Sequence, residues 1–438
     1  MFGTNLRIIF KIDPSFPHHL QKMVSPIYCI TFNPSVPMDR DYNCDAFTVF
    51  GIRVAKMLIR KGKRVILFGL GGKNPVPEAT YYNVIDDFPL ASDYYNLPRN
   101  LCYTIKSEEE LKHSSERTRK YTEGVNELTD KLLSGDLFFL HSYLSPESFN
   151  RNPSEWDQFC INRRYPCITL MQMGGTFWTD PEKSIFCSRA HWACHHYQLF
   201  CEQILPAGVN GKKSGTFRSY IHSPFFDPND YIYSEEERKY YLYLGRIQRG
   251  KGFFTFLEAV QQLPDLSFKV GAPYQTIVEN FREMLHIVDE GKTTNLPLSR
   301  KDGKVFLTDY PNVELFGYLN TVQRAKVLSE TKMLIQPSQY HEPFGFNVIE
   351  AYFSGTEVLT SDLGNFREIV PQGLGKSARA ATVEQMIKHI QLKEKDPDQQ
   401  TASRLCRQFA FKFADQNCEN SFLELLEEMY QNLTGLKV

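Results

Sequence analysis

Short apolar runs alternate along the chain with longer stretches whose apolar residues recur every three or four positions. In the first half, 27–32 (IYCITF), 64–70 (RVILFGL), 136–140 (DLFFL) and 167–171 (CITLM) read as buried strands. Between the first two, 47–60 (FTVFGIRVAKMLIR) has helical spacing and stops at Lys61-Gly62. Strand, helix and strand with a tight glycine-containing link form a βαβ unit, which implies a parallel sheet covered on both faces. Residues 72–108 show no clear period and are expected to be irregular.

The pattern breaks at 223–230 (SPFFDPND) and at the charged run 234–239 (SEEERK), which together read as a linker. It then restarts. Strands are expected at 240–244, 267–270, 313–316, 333–335 and 358–360, with helices at 252–262, 322–329, 348–353 and 383–392. A last helix, 418–435, carries an apolar stripe at Phe422, Leu425, Leu426 and Met429. The expected fold class is α/β, with two Rossmann-like doubly wound domains facing a central cleft.

Composition narrows the function. At 438 residues the chain is long enough for two cores. It is 42% hydrophobic, 23% charged and 13% aromatic, with a formal net charge of −1, so its overall field gives no reason to expect nucleic acid as a partner. Any anion must be bound locally. The ten cysteines have no regular spacing and several lie in apolar runs, which reads as reduced thiols in a cytoplasmic protein. The first residues, MFGTNLRIIFKIDPSF, lack the pattern of a signal peptide, and no apolar run approaches the ~20 residues of a membrane span.

The candidate chemistry sits in 341–350, HEPFGFNVIE. Pro343 can open a helix, Gly345 allows close approach of a ligand, and the first free N–H groups of a helix attract phosphate. Glu342 and Glu350 flank that site. Two acids beside a diphosphate make sense if they accept hydrogen bonds from hydroxyls while cations elsewhere neutralise the phosphates. The turn in 241–252, YLYLGRIQRGKG, offers such cations in Arg246 and Lys251. A sugar nucleotide would supply both kinds of group.

These residues, with VELFGY at 313–318 and the run GTEVLTSDLGNFREIV after Ser354, resemble the retaining glycosyltransferases of family 4, which have the GT-B fold. The resemblance covers most of 240–375. It implies an acceptor-binding domain at 1–235, a donor-binding domain at 236–415, and a terminal helix, 416–438, that packs back on the first domain. It implies that Arg246 and Lys251 bind the donor diphosphate and that Glu350 accepts from the ribose. Glu342 would face the hydroxyls of the donor sugar, and Gly345, Phe346 and Asn347 would supply backbone contacts. Gly271, Phe316, Gly317 and Tyr318 would line the base pocket, and His141 would face the donor sugar. The implied reaction is metal-independent transfer of a hexose from a UDP- or GDP-sugar to a hydroxyl acceptor such as a glycan. A non-catalytic sugar-nucleotide-binding protein, or a sugar-nucleotide epimerase on the same fold, is the alternative. The chain departs from the family at Cys44-Asp45-Ala46-Phe47, where a glycine pair is common, and at Gln172-Met173-Gly174-Gly175, which lacks a frequent histidine.

Three other constellations compete. Cys187, His191 and His195 fall on one helical face and could hold zinc, although such a helix is more often core. Asp39-Arg40-Asp41 is an Asp-x-Asp, more simply read as a loop. A glycosidase pair of carboxylates would have no use for the basic turn.

Overall fold

The computed structural model describes residues 25–33, 46–71, 74–85, 108–142, 164–170, 183–194, 220–289, 292–396 and 398–436. In the N-terminal half, β1 (Ile27–Thr31), β2 (Val65–Leu70), β3 (Thr80–Ile85), β4 (Leu137–His141) and β5 (Cys167–Thr169) form one sheet in the order β3-β2-β1-β4-β5. Every pair in it is parallel. Strands β1, β2 and β4 are apolar on both sides because both faces are covered. Tyr28, Ile30, Phe138 and Leu140 pack with helix α1 (Ala46–Arg60). Cys29, Phe68 and Phe139 pack instead with Tyr121 and Val125 of helix α2 (Glu108–Leu132).

Strand β3 lies inside the stretch expected to be irregular. It is a half-exposed sheet edge, so its residues, TYYNVI, show no apolar run. A second small sheet pairs β6 (Ile185–Phe186) with β7 (Tyr220–Ile221).

Among the described residues of the C-terminal half ten strands, β8 to β17, form one sheet in the order β10-β11-β12-β13-β14-β9-β8-β15-β16-β17. Its parallel part comprises β14 (Tyr310–Gly317), β9 (Phe268–Gly271), β8 (Tyr240–Leu244), β15 (Thr331–Gln336), β16 (Glu357–Thr360) and β17 (Ala378–Arg379). Beyond β14 four antiparallel strands extend the sheet: β10 (Gln275–Glu279), β11 (Arg282–Asp289), β12 (Lys292–Lys301) and β13 (Lys304–Leu307). They were not foreseen, since half-buried residues mixed with charge give no apolar period. Numbered within each half, the parallel strands run 3-2-1-4-5 and 3-2-1-4-5-6. The strand order therefore reverses between β1 and β4 and again between β8 and β15. In such sheets ligands bind outside the strand ends at that reversal.

The expected linker is packed at some positions and exposed at others, such as Asn229, Asp230, Glu236 and Glu237. Phe225 and Phe226 are buried, and Arg238 from the charged run is 2% exposed. Its guanidinium pairs with no carboxylate among the described residues and donates to the carbonyls of Ser234 (2.8 Å), Ser354 (2.9 Å) and Thr331 (3.0 Å). Burial pulls its pKa down to about 10. A second crossing of the chain runs alongside the first. Phe226 N–H donates to the Phe413 carbonyl (2.9 Å), and Asp415 N–H donates to the Phe226 carbonyl (2.8 Å).

After that crossing the last helix, Asp415–Thr434, lies on α1. Phe422 meets Phe50 edge-on at 5.6 Å, Arg60 pairs with Asp415 at 3.1 Å and with Glu419, and Lys63 pairs with Glu427 at 2.6 Å. No helix among the described residues is long and apolar enough to cross a membrane.

Candidate functional site at the strand reversals

At the C-terminal reversal, β8 ends in the turn that carries the basic residues. Gly252 caps the following helix, Phe253–Gln261, at φ +77°, and a Cβ there would run into the Pro337 carbonyl. Glycine is thus required by both conformation and space. The turn is pinned from three sides. The Tyr243 hydroxyl donates to the Arg246 carbonyl at 2.6 Å, Gln339 N–H to the Gly250 carbonyl at 2.8 Å, and Arg249 N–H to Asp289 Oδ2 at 2.5 Å. Arg246 and Lys251 are half-buried on this fixed loop.

Across the reversal, β15 leads into the loop containing Glu342. The helix opens at Phe346 with Gly345 as its N-cap at φ +96°, so Pro343 stands in the loop and not at the helix start. The Pro343 carbonyl accepts from Ser188 Oγ at 2.7 Å. Asn365 holds the loop from the other side: its N–H donates to the Glu342 carbonyl at 2.8 Å and its side-chain amide to the Phe344 carbonyl at 2.7 Å. Asn347 reaches back to the Leu244 carbonyl at 2.6 Å, tying the start of helix Phe346–Phe353 to the end of β8.

Each acid has a cation. Glu342 Oε2 lies 3.1 Å from Lys251 Nζ, which also sits 4.5 Å above the Tyr340 ring. Glu350, only 6% exposed, pairs with Arg324, and Arg324 also bonds Asn347. Its other oxygen is 3.9 Å from Arg53 Nη2, contributed by α1 of the N-terminal half. The two acids thus belong to two ion-paired groups, of which the second joins both halves of the chain.

Sequence reasoning missed Arg324 and Arg53. Arg324 lies in helix Thr321–Ser329, whose packing gives no local signal. Arg53 had a faint one, a lone cation between the buried Ile52 and Val54.

The remaining candidates separate. Gly271 closes β9 between Leu244 and Leu319, and a Cβ there would press on the ends of both leucine side chains. Gly317 and Tyr318 follow at the end of β14, half-buried. Phe316 turns to packing: its ring meets Tyr240 edge-on at 6.1 Å and lies 4.4 Å from Lys269 Nζ.

His141 sits at the other reversal, paired in register with Thr31 at the ends of β4 and β1. It is fully buried, with Thr31 Oγ1 2.7 Å from Nδ1 and the Phe139 ring stacked at 6.1 Å. Its Nε2 has no hydrogen-bond partner among the described residues. Burial pulls its pKa down to about 4, so the ring is neutral at neutral pH.

Cys187 and His191 do meet, with Sγ 3.1 Å from Nδ1, and burial drives the Cys187 thiol far above its usual range. His195, Asp39-Arg40-Asp41, Cys44-Asp45 and the 172–175 segment lie outside the described residues.

Two such sheets with paired crossings define the GT-B fold of glycosyltransferases. Residues 232–408 match the family described as Glycosyl transferases group 1. Sucrose-phosphate synthase from Thermosynechococcus elongatus is similar in structure, with 14% identity over 93% of this chain and 100% of that one, TM-score 0.56. So is AviGT4, a glycosyltransferase involved in avilamycin A biosynthesis, with 14% identity over 94% and 99%, TM-score 0.54. HepE of Anabaena, solved in complex with UDP and glucose, follows with 12% identity over 92% and 99%, TM-score 0.53. Likeness at these identities establishes the fold. A search of curated proteins found no match.

Proposed function

We propose that the chain is a retaining, metal-independent glycosyltransferase that moves a hexose from a UDP- or GDP-sugar to a hydroxyl of a glycan. The observation that carries this reading is the pairing of Glu342 with Lys251 and of Glu350 with Arg324 beside one strand reversal. Free acids would repel a diphosphate. Acids already holding cations leave the site with no net negative charge: sugar hydroxyls can take Glu342 while Lys251 turns to phosphate, and ribose hydroxyls can bond Glu350 while its guanidinium partners stay in place.

In the proposed reaction Glu342 holds the donor sugar's hydroxyls and Glu350 the ribose, with Gly271, Gly317 and Tyr318 around the base. Arg246, Lys251 and the N–H groups at Gly345, Phe346 and Asn347 stabilise charge growing on the departing diphosphate. The bond from the anomeric carbon to phosphate oxygen breaks as the acceptor oxygen bonds that carbon on the same face. The acceptor's proton passes to a leaving phosphate oxygen. His141, neutral and with Nε2 available, serves as a hydrogen-bonding group toward the sugar and not as a carrier of positive charge.

Incubation with radiolabelled UDP- and GDP-hexoses, following release of the nucleotide, tests this. Turnover is expected with one of them, and Lys251→Ala should lower kcat by on the order of 10²–10³ at saturating donor, as loss of one such donor does elsewhere. Tight binding with no release, even to water, would overturn the enzymic reading. UDP is the first nucleotide to try, because HepE with this fold is described with UDP bound.

A further inference from the structure

Glu350 lies in the C-terminal half, yet one of the two guanidinium groups near its carboxylate among the described residues comes from helix α1 of the N-terminal half. Arg53 Nη2 stands 3.9 Å from Glu350 Oε1, and the two side chains are 11% and 8% exposed. A long charged side chain in so closed a place is ordered only if its other contacts fix it, and here they do. Nη2 donates to the Tyr231 hydroxyl at 3.0 Å and Nη1 to the Phe225 carbonyl at 3.4 Å. The guanidinium lies 4.3 Å from the centre of the Phe226 ring and 5.7 Å from that of Phe346. Stacking on aromatic faces while donating in plane is the geometry for which arginine, and not lysine, is suited.

The same contacts grip the helix that carries Glu350. Phe346 at its first turn lies near Arg53, and Phe353 at its last turn stacks on Tyr231 at 5.3 Å with the rings 8° apart. Phe226, under Arg53, is the residue whose backbone pairs with the second crossing at Phe413 and Asp415. Arg53 therefore touches three things at once: the crossing between the halves, the helix Phe346–Phe353 and the carboxylate of Glu350. Arg324 occupies the other carboxylate oxygen from within the C-terminal half.

We propose that Arg53 is a positioning residue for the nucleotide's ribose: from the N-terminal half it fixes the Glu350 carboxylate so that its oxygens face the ribose diol. This rests on the reading that Glu350 binds ribose. A carboxylate accepting from two adjacent hydroxyls must hold one orientation, and its charge must be balanced because little water reaches it. Arg324 alone gives one anchor, about which the carboxylate can turn. Arg53, held by Tyr231 and 3.9 Å from the other oxygen, adds a fixed positive charge that orients the carboxylate. Nucleotide affinity then depends on contact between the halves even though Arg53 need not touch the nucleotide.

The test uses the full chain and calorimetric titration with UDP, GDP and ADP, each beside its 2′,3′-dideoxy counterpart. The nucleotide that binds the wild type best is expected to lose at least tenfold in affinity without its ribose hydroxyls, the scale of a charge-assisted hydrogen bond. Arg53→Met, which keeps the stem over Phe226, should weaken the ribonucleotide by about tenfold and the dideoxynucleotide by less than about twofold. Arg53→Lys should recover part of that loss, and Tyr231→Phe should show a smaller loss of the same kind. A general loosening of the fold would weaken both nucleotides alike, and that result overturns the proposal, as does full affinity in Arg53→Met. Glu350→Gln separates the two levels. If it keeps the full penalty for the dideoxynucleotide, the ribose reading itself fails. If it abolishes the penalty while Arg53→Met retains it, only the role of Arg53 fails.

Discussion

At the residue scale, the acids and bases of the site were legible but their partnerships were not. Glu342, Glu350, Arg246 and Lys251 stand out because of their place beside glycines and strand ends. That Lys251 meets Glu342, and Arg324 meets Glu350, follows from how two loops and two helices face each other. His141 shows the same division. Its position at a strand end is read from DLFFLH, whereas its neutrality comes from complete burial. Its folded pKa, about 4, lies below the ordinary 6.5, so the unfolded chain takes up the proton first as pH falls. The protein should therefore keep full stability from this group above pH 6.5 and lose it progressively between 6.5 and about 4. His222 and His389, also depressed by burial, act in the same direction. Thermal unfolding across that range checks this: His141→Gln should show a visibly flatter fall of Tm with acidification, and an unchanged slope would contradict it.

Helix α1 and strand β8 were legible to within a residue or two. The amphipathic helix Gln399–Ala410 was missed despite its period, and so were strands without one. The edge strand β3 and the four antiparallel strands from β10 to β13 are half exposed, so hydrophobicity does not mark them. The turn after β8 lies between these cases. Its glycines suggest a ligand-facing loop, but only the structure shows that Gly252 is pressed on the Pro337 carbonyl. Gly252→Ala should cost about 1–3 kcal/mol in unfolding free energy and weaken nucleotide binding, because the whole basic turn must shift. Gly62→Ala is the control: φ is +70° there too, but nothing lies within 4 Å of a new Cβ. It should cost only about 1–2 kcal/mol for the left-handed backbone and leave nucleotide affinity unchanged. Equal effects of both on nucleotide affinity would show that the contact with Pro337 does not matter.

For the molecule as a whole, the last helix is expected to hold the N-terminal half together. Phe422 and Leu426 are fully buried and Met429 is 1% exposed, against α1 and the sheet behind it. Burial of three such side chains, each worth ~1.5–3 kcal/mol, approaches the ~5–15 kcal/mol net stability of a typical domain. Phe422→Ala should cost about 3–5 kcal/mol. Hydrogen exchange should rise in α1, though Arg60 and its partner Asp415 are 355 positions apart. If exchange rose only within Asp415–Thr434, the helix would be an appendage.

The sequence by itself determined which segments alternate as strand and helix, where glycine must turn the chain, and which acids and bases cluster near strand ends. Each of these is set by near neighbours through periodicity and backbone sterics. Only the tertiary structure decided which cation serves which acid, that the supposed linker is anchored by buried Phe225, Phe226 and Arg238, and that Arg53 stands beside Glu350. Those are contacts between residues remote in the chain, and no local pattern encodes them. They exist because helix α1 and the paired crossings at Phe226 and Phe413 bring remote parts of the chain together.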